Sequence, residues 1–178
     1  MRVRNVFCND KESSFYTIMK NLTSVIGGLA GAVALNLLHE TARRFYPSAP
    51  RIDKIGEEAL AKSLSSVGIH PPSGERLYQA TLAADVLSNA IYYSFIGAGK
   101  PKHLLLRGAA VGLVAGIGAI SLPEPMGLHD RPVNKETVTS FLTVGYYVFG
   151  GLVTAAAITL INKEKKDKKK PAVENAVL

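Results

Sequence analysis

TVTSFLTVGYYVFGGLVTAAAITLI, from Thr137 to Ile161, holds no ionised side chain. At about 1.5 Å per residue, a helix of that length crosses a hydrocarbon core of about 30 Å and leaves room for tilt. Read as a span, it makes lipid the solvent for this part of the chain and directs attention to other runs of the same kind.

Three more are found on the N-terminal side. Leu104 to Leu122 is interrupted only by Arg107, near its start, and Leu77 to Ala98 is long enough to span but carries Asp85 and Asn89. Leu22 to Leu38 (LTSVIGGLAGAVALNLL) is free of charge, with Lys20 placed to snorkel to the near interface. The fold class expected is therefore all-α: a four-helix transmembrane bundle with spans at about 22–38, 77–98, 104–122 and 137–161, forming one membrane domain over residues 1–162. Small-residue triplets such as Ala30-Gly31-Ala32 would suit a cleaved signal peptide. The long, partly acidic segment before the run, with Asp10 and Glu12, and the helical continuation into His39 and Glu40 favour a retained anchor instead.

The charge pattern predicts orientation. Of 178 residues, 21 are Lys or Arg and 14 Asp or Glu, a formal net charge of +7. Arg2, Arg4, Lys11 and Lys20 precede the first run, and Lys100 and Lys102 sit in the short hairpin Gly99–His103. Lys163, Lys165, Lys166, Lys168, Lys169 and Lys170 follow the last run. Basic residues collect on the cytoplasmic side, so both termini are expected there. The first outer loop also contains six basic residues, Arg43, Arg44, Arg51, Lys54, Lys62 and Arg76, and argues the other way. The tail 163–178 reads as disordered and low in complexity, an anchor that would also attract anionic lipid. No nucleic-acid signature accompanies it.

Within the outer loop, Ile52, Ile55, Ala59, Leu60, Leu64 and Val67 recur at helical spacing, which predicts a short amphipathic helix lying on the bundle or the membrane surface. Gly56 on or near its apolar stripe suits close packing against another helix. Pro47, Pro50, Pro71 and Pro72 separate this helix from the spans.

In the third run Gly108, Gly112 and Gly116 repeat at every fourth position, a surface that lets another helix approach to backbone contact. Gly27 with Gly31, Gly28 with Ala32, and Gly151 with Ala155 are similar pairs. They serve either a tight monomeric bundle or association into a homo-oligomer or larger complex.

Ionisable groups at membrane depth need an account. Arg107 is expected to snorkel. Asp85 has Asn89 at i+4 and Asn36 at a similar depth on the first span, with Thr143 and Tyr146 within reach if the fourth span faces inward. Such a cluster would bind a cation or relay a proton, or, more plainly, fix helix register through Asn and Tyr donors. His39-Glu40-Thr41-Ala42-Arg43-Arg44 lacks the second histidine of a metalloprotease helix, because Arg43 stands at that position. The spacing predicts an interfacial ion-pair network instead, with Glu40 paired to Arg44 and His39 beside Arg43, or a headgroup site using Arg43 and Arg44. A composite metal site joining His39, Glu40, His129 and Asp130 is the weakest reading, and no metal or other cofactor is expected. With the one cysteine, Cys8, there is no disulfide framework. Gly97-Ala98-Gly99-Lys100 lacks the spacing and hydroxyl of a phosphate loop, and triad and nicotinamide signatures are absent.

The stretch Gly27 to Leu60, with its glycine-rich span, His39-Glu40, Arg43-Arg44, Ala49-Pro50-Arg51, Asp53 and Gly56, resembles a family of small uncharacterised bacterial multi-spanning integral membrane proteins. The resemblance implies a bacterial inner-membrane location and brings no activity with it. The expected role is structural, accessory or complex-forming. A proton- or cation-coupled transporter or channel component using Asp85 is the alternative, and a membrane-embedded metal-dependent enzyme the third.

Overall fold

The computed structural model describes the backbone of residues 3–174 and the side chains of residues 21–165 and 167. Among the described residues the chain is all-helical. The elements are α1 (Val3–Phe45), α2 (Ile52–Ser66), α3 (Glu75–Ser94), α4 (Leu104–Ser121), a short α5 (Arg131–Asn134) and α6 (Thr137–Glu174). Two 3₁₀ turns, Phe95–Gly97 and Pro101–His103, make the link from α3 to α4. Gly99, at φ +89°, provides the left-handed residue that reverses the chain between them. The side chains of Cys8, Lys166, Lys168, Lys169 and Lys170 lie outside the described part.

Helices α1, α3, α4 and α6 form a four-helix bundle. Three stretches are long and apolar enough to cross a membrane: Asn21–Phe45, Pro101–Ser121 and Thr137–Lys165. The second expected span, α3, has the length but not the composition. Glu75, Asp85 and Asn89 lower its apolar character, and Thr81 and Asp85 help line a cavity against α1. Its outer side still carries exposed Leu87 and Ile91, with Phe95 just beyond its end.

Large apolar residues cover the outside, among them Val25, Leu29, Val33, Leu113, Val114, Ile117, Phe141 and Leu152. The inside holds Thr23, Thr139, Thr143 and Thr154 almost fully buried. This distribution has the apolar surface outward and hydroxyls inward, as suits a chain with lipid for solvent. Two of these hydroxyls turn back one turn along α6, Thr143 donating to Thr139 O at 2.9 Å and Thr154 to Gly150 O at 3.0 Å, whereas Thr139 donates to Ser48 O at 3.1 Å and Thr23 accepts from Lys165.

Helix α1 packs on α3 and α6, and α4 packs on α6. Helices α3 and α4, though joined by the hairpin, touch little beyond it, one link being Tyr92 OH donating to Val111 O at 3.2 Å. At the α4–α6 seam Gly108, Gly112 and Gly116 are buried. A Cβ on Gly108 would lie 2.5 Å from Gly151 O, one on Gly112 2.5 Å from Tyr147 O, and one on Gly116 2.6 Å from Val144 Cα. Gly27 and Gly31 meet α6, and Gly28 meets the backbone of α3 at Ala90 and Ser94. Tyr93, fully buried, donates its hydroxyl to Tyr147 O at 2.8 Å and joins α3 to α6 across the middle.

The basic segments gather at one end. Lys165 Nζ donates to Thr23 Oγ1 at 2.6 Å, so the C-terminal part of α6 lies beside the start of the first apolar run. Gly97, at the hairpin, abuts Ser24. At the opposite end α2 lies across α1 and α3, with Gly56 so close to α3 that a Cβ would stand 2.6 Å from Thr81 Cγ2. The cap is tied to the last loop: Arg51 N donates to Pro132 O at 2.8 Å, and Lys62 Nζ to Gly127 O.

The described backbone runs on past Lys163, where a further turn of helix before a disordered tail is expected from the sequence. Helix α6 continues to Glu174, because lysine has good helix propensity and a helix already nucleated in the bundle extends readily. Residues 175–178 lie outside the described part.

Candidate functional site

On α1, Asn36, His39, Glu40 and Arg43 fall at i, i+3, i+4 and i+7 and share one stripe. On α3, Tyr78, Thr81, Leu82 and Asp85 do the same, and Asn89 continues the row. The two helices run antiparallel, so Arg43 meets Tyr78 at the rim while Asn36 meets Asp85 deeper in. Between the stripes, roofed by Pro50, Ile52, Asp53 and Gly56, is a cavity of about 40 Å³. By volume it admits a few water-sized groups.

The rim is an ion-pair network. Arg43 contacts Glu40 at 2.6 Å and Asp53 at 3.1 Å, donates to Tyr78 OH at 3.1 Å, and stacks 5.1 Å from the Tyr78 ring centre. Arg51 grips the same Asp53 with two guanidinium nitrogens, at 2.9 and 2.6 Å. Burial alone would raise the Asp53 pKa. The Arg51 hydrogen bonds, with the charges of Arg51, Arg43 and Lys54, instead hold it below the ordinary carboxylate value, and Asp53 in turn raises that of Arg51. One aspartate on α2 thereby clamps the cap to α1.

The inner part of the cavity is different. Asn89 Nδ2 donates to Asp85 Oδ1 at 2.9 Å. Asn36, which lines the cavity with Asp85, donates its Nδ2 to Ala32 O at 3.1 Å. Among the described residues no basic group pairs with Asp85. Both ring nitrogens of His39 and the Thr81 hydroxyl are buried with no hydrogen-bond partner. The His39 ring stands edge-on to Tyr146, centroids 5.2 Å apart, and at 6.0 Å from that of Tyr147.

These placements revise several expectations. Glu40 pairs with Arg43 at i+3, not with Arg44, because the stripe carrying Glu40 and Arg43 faces α2 and α3 while Arg44 lies on the far side of Glu40 and is exposed. Thr143 turns its hydroxyl back to its own helix, so it does not join Asp85, and Tyr146 reaches His39 instead. His129 is not near His39. It lies beside Glu58 of α2, Nδ1 to Oε1 at 3.0 Å, while Asp130 accepts from Asn134 at 3.2 Å. Among the described residues no three His, Cys, Asp or Glu side chains are grouped as a metal site. Glu58, contacted by Lys62 and His129, has its pKa held down to about 2. Arg107 bends back to the hairpin, donating to Lys100 O at 3.1 Å.

The sequence pattern joins Asn36 with Asp85 and Asn89, and His39 with Glu40, Arg43 and Arg44, as two separate sets. The structure brings all but Arg44 to one site, and adds Asp53, Tyr78 and Thr81. The two i, i+3, i+4, i+7 rows are the signal that would have found Tyr78 and Thr81. Comparison of the chain with protein-family models, with curated proteins and with solved structures gives no match.

Proposed function

We propose that this chain is a structural or accessory protein of the bacterial inner membrane, with both termini in the cytoplasm. The reading rests above all on how the interior is closed. Between the polar cavity and the basic end lie Ala32, Leu35, Tyr93, Ile96, Tyr147, Ala155 and Ile158, packed as one cluster. Most of the small-residue surfaces are taken up in contacts within the chain. A body closed by backbone contacts suits holding or docking rather than gating. The grouping of the N-terminal part of the first span, the hairpin and the last lysines at one end supports the orientation, by the rule that basic segments stay inside. Membership of the small multi-spanning family rests on the Gly27–Leu60 pattern. Association into a homo-oligomer or larger complex, and contact of the Lys-rich end with anionic lipid, belong to the same reading, and a metal-dependent enzyme using His39, Glu40 and His129 is not favoured.

A second reading, a proton- or cation-coupled transporter or channel component, is favoured by one observation: Asp85 is a carboxyl inside the bundle cavity with no basic partner among the described residues. Reconstitution separates the two. Wild-type vesicles with no proton or cation flux above that of empty vesicles, together with co-purification of a membrane partner after crosslinking, support the accessory role. Flux that Asp85→Asn abolishes would replace it with the transport reading.

A further inference from the structure

The carboxylates around the cavity are unequally provided for. Arg43 serves Glu40 and Asp53, and Arg51 serves Asp53 again. Among the described residues Asp85 has only amides beside it, Asn89 donating at 2.9 Å and Asn36 lining the same cavity. A carboxylate has about four lone-pair sites, so even two amide donors would leave part of it free. Beside it, His39 keeps both ring nitrogens, and Thr81 its hydroxyl, buried and without partners. Unsatisfied buried polar atoms are uncommon, and several around one cavity point to a missing group. A positive charge is what the inner cavity lacks: Asn36 and Asn89 offer only neutral amides, already engaged, and Arg43 is committed to the rim. An anion finds no free cation there. Among the described residues a multivalent metal finds no three grouped ligands.

We propose that this cavity binds a primary ammonium group, which donates to the free side of the Asp85 carboxylate and to a ring nitrogen of His39, with Thr81 Oγ1 accepting a further hydrogen bond. The inference does not depend on the accessory role. The volume of about 40 Å³ accepts an ammonium head, and a quaternary ammonium has no N–H to give to these acceptors. The cavity lies at the end of the bundle where α2 crosses α1 and α3, roofed by Pro50, Ile52, Asp53 and Gly56, the end that a bilayer around the spans would place next to its headgroup layer. The ammonium therefore comes either from a free small amine or from an aminophospholipid.

The test uses the full chain in phosphatidylcholine nanodiscs in phosphate buffer, titrated with ethanolamine. The expected result is a saturable rise in the thermal midpoint, roughly 5–10 °C at a hundredfold excess over Kd. Perturbation of the His39 ring ¹⁵N resonances should follow the same curve. Tetramethylammonium should produce neither change, and Asp85→Asn should remove both. Should that variant fail to fold, the wild-type ring resonances alone decide. In phosphatidylethanolamine nanodiscs, a midpoint already raised and unresponsive to ethanolamine identifies the lipid as the source, and an undiminished response identifies a free amine. Three results would overturn the proposal: no response to either amine source, an equal response to tetramethylammonium, or an Asp85→Asn variant that responds as the wild type does.

Discussion

Along the α4–α6 seam two helices meet backbone to backbone, with Gly108, Gly112 and Gly116 set against Gly151, Tyr147 and Val144. At the far end of α1 and α3 the contact is made by charge: Glu40, Arg43, Arg51, Asp53 and Tyr78 hold a third element, α2, in place. The difference follows from the surroundings. In lipid, bringing apolar side chains together gains little, so helices associate where small residues let dispersion contacts accumulate. At the headgroup level a bidentate Arg–carboxylate pair is geometrically specific and still partly hydrated. The seam should therefore tolerate no added volume and ignore salt, whereas the cap should respond to charge and pH.

The largest effect is expected from Gly112→Leu. Its Cβ alone would overlap Tyr147 O and Val148 Cα, main-chain atoms that cannot turn aside. Loss of more than about 3 kcal/mol, read as failure to recover folded monomer from mild detergent, is the expected outcome. A stable Gly112→Leu bundle would mean that the α4–α6 contact is wrong. Arg43→Leu comes next, since it strands Glu40 and Tyr78 and leaves Asp53 to Arg51 alone. We expect a loss of about 1–3 kcal/mol in denaturant unfolding.

Acid should act on the cap before it acts on the seam. Asp53 and Glu58 both have folded pKa values below their ordinary 3.8 and 4.5. Their contribution is therefore complete above those values and is lost as pH falls through the folded ones, toward about 2 for Glu58. Amide exchange referenced to its intrinsic rate should show α2 loosening between pH 4.5 and 2, with α4 unchanged. Simultaneous loosening of both would join two regions that this account separates. The smallest effect belongs to Arg44→Ala. Exposed and without an ion pair among the described residues, Arg44 should change stability by less than about 0.5 kcal/mol, in contrast to its neighbour.

The helices were readable because their signals are local. A charge-free run gives α6, and the spacing of Ile52, Ile55, Ala59 and Leu60 gives α2. Pairing is not local. The hairpin makes α3 and α4 neighbours in sequence, yet α3 packs against α1, and only that pairing sets Asp85 beside His39. Asp53 reads as an ordinary loop charge until the chain turns at Pro47 and Pro50 and lays α2 over the cavity. Glu40 has basic residues at both i+3 and i+4, and the choice of Arg43 depends on which side of α1 meets α2. The continuation of α6 past Lys163 was hidden because a lysine-rich composition suits a solvated coil as well as an extended helix.

That lipid surrounds the bundle is the premise of all this, and spin-label accessibility measures it directly. With Cys8 replaced by serine, nitroxides placed singly at Leu29, Leu113 and Leu152, all outward-facing, should in nanodiscs be relaxed strongly by oxygen and scarcely by a water-soluble nickel chelate. Strong relaxation by the nickel chelate at all three would put these faces in water and contradict the membrane bundle.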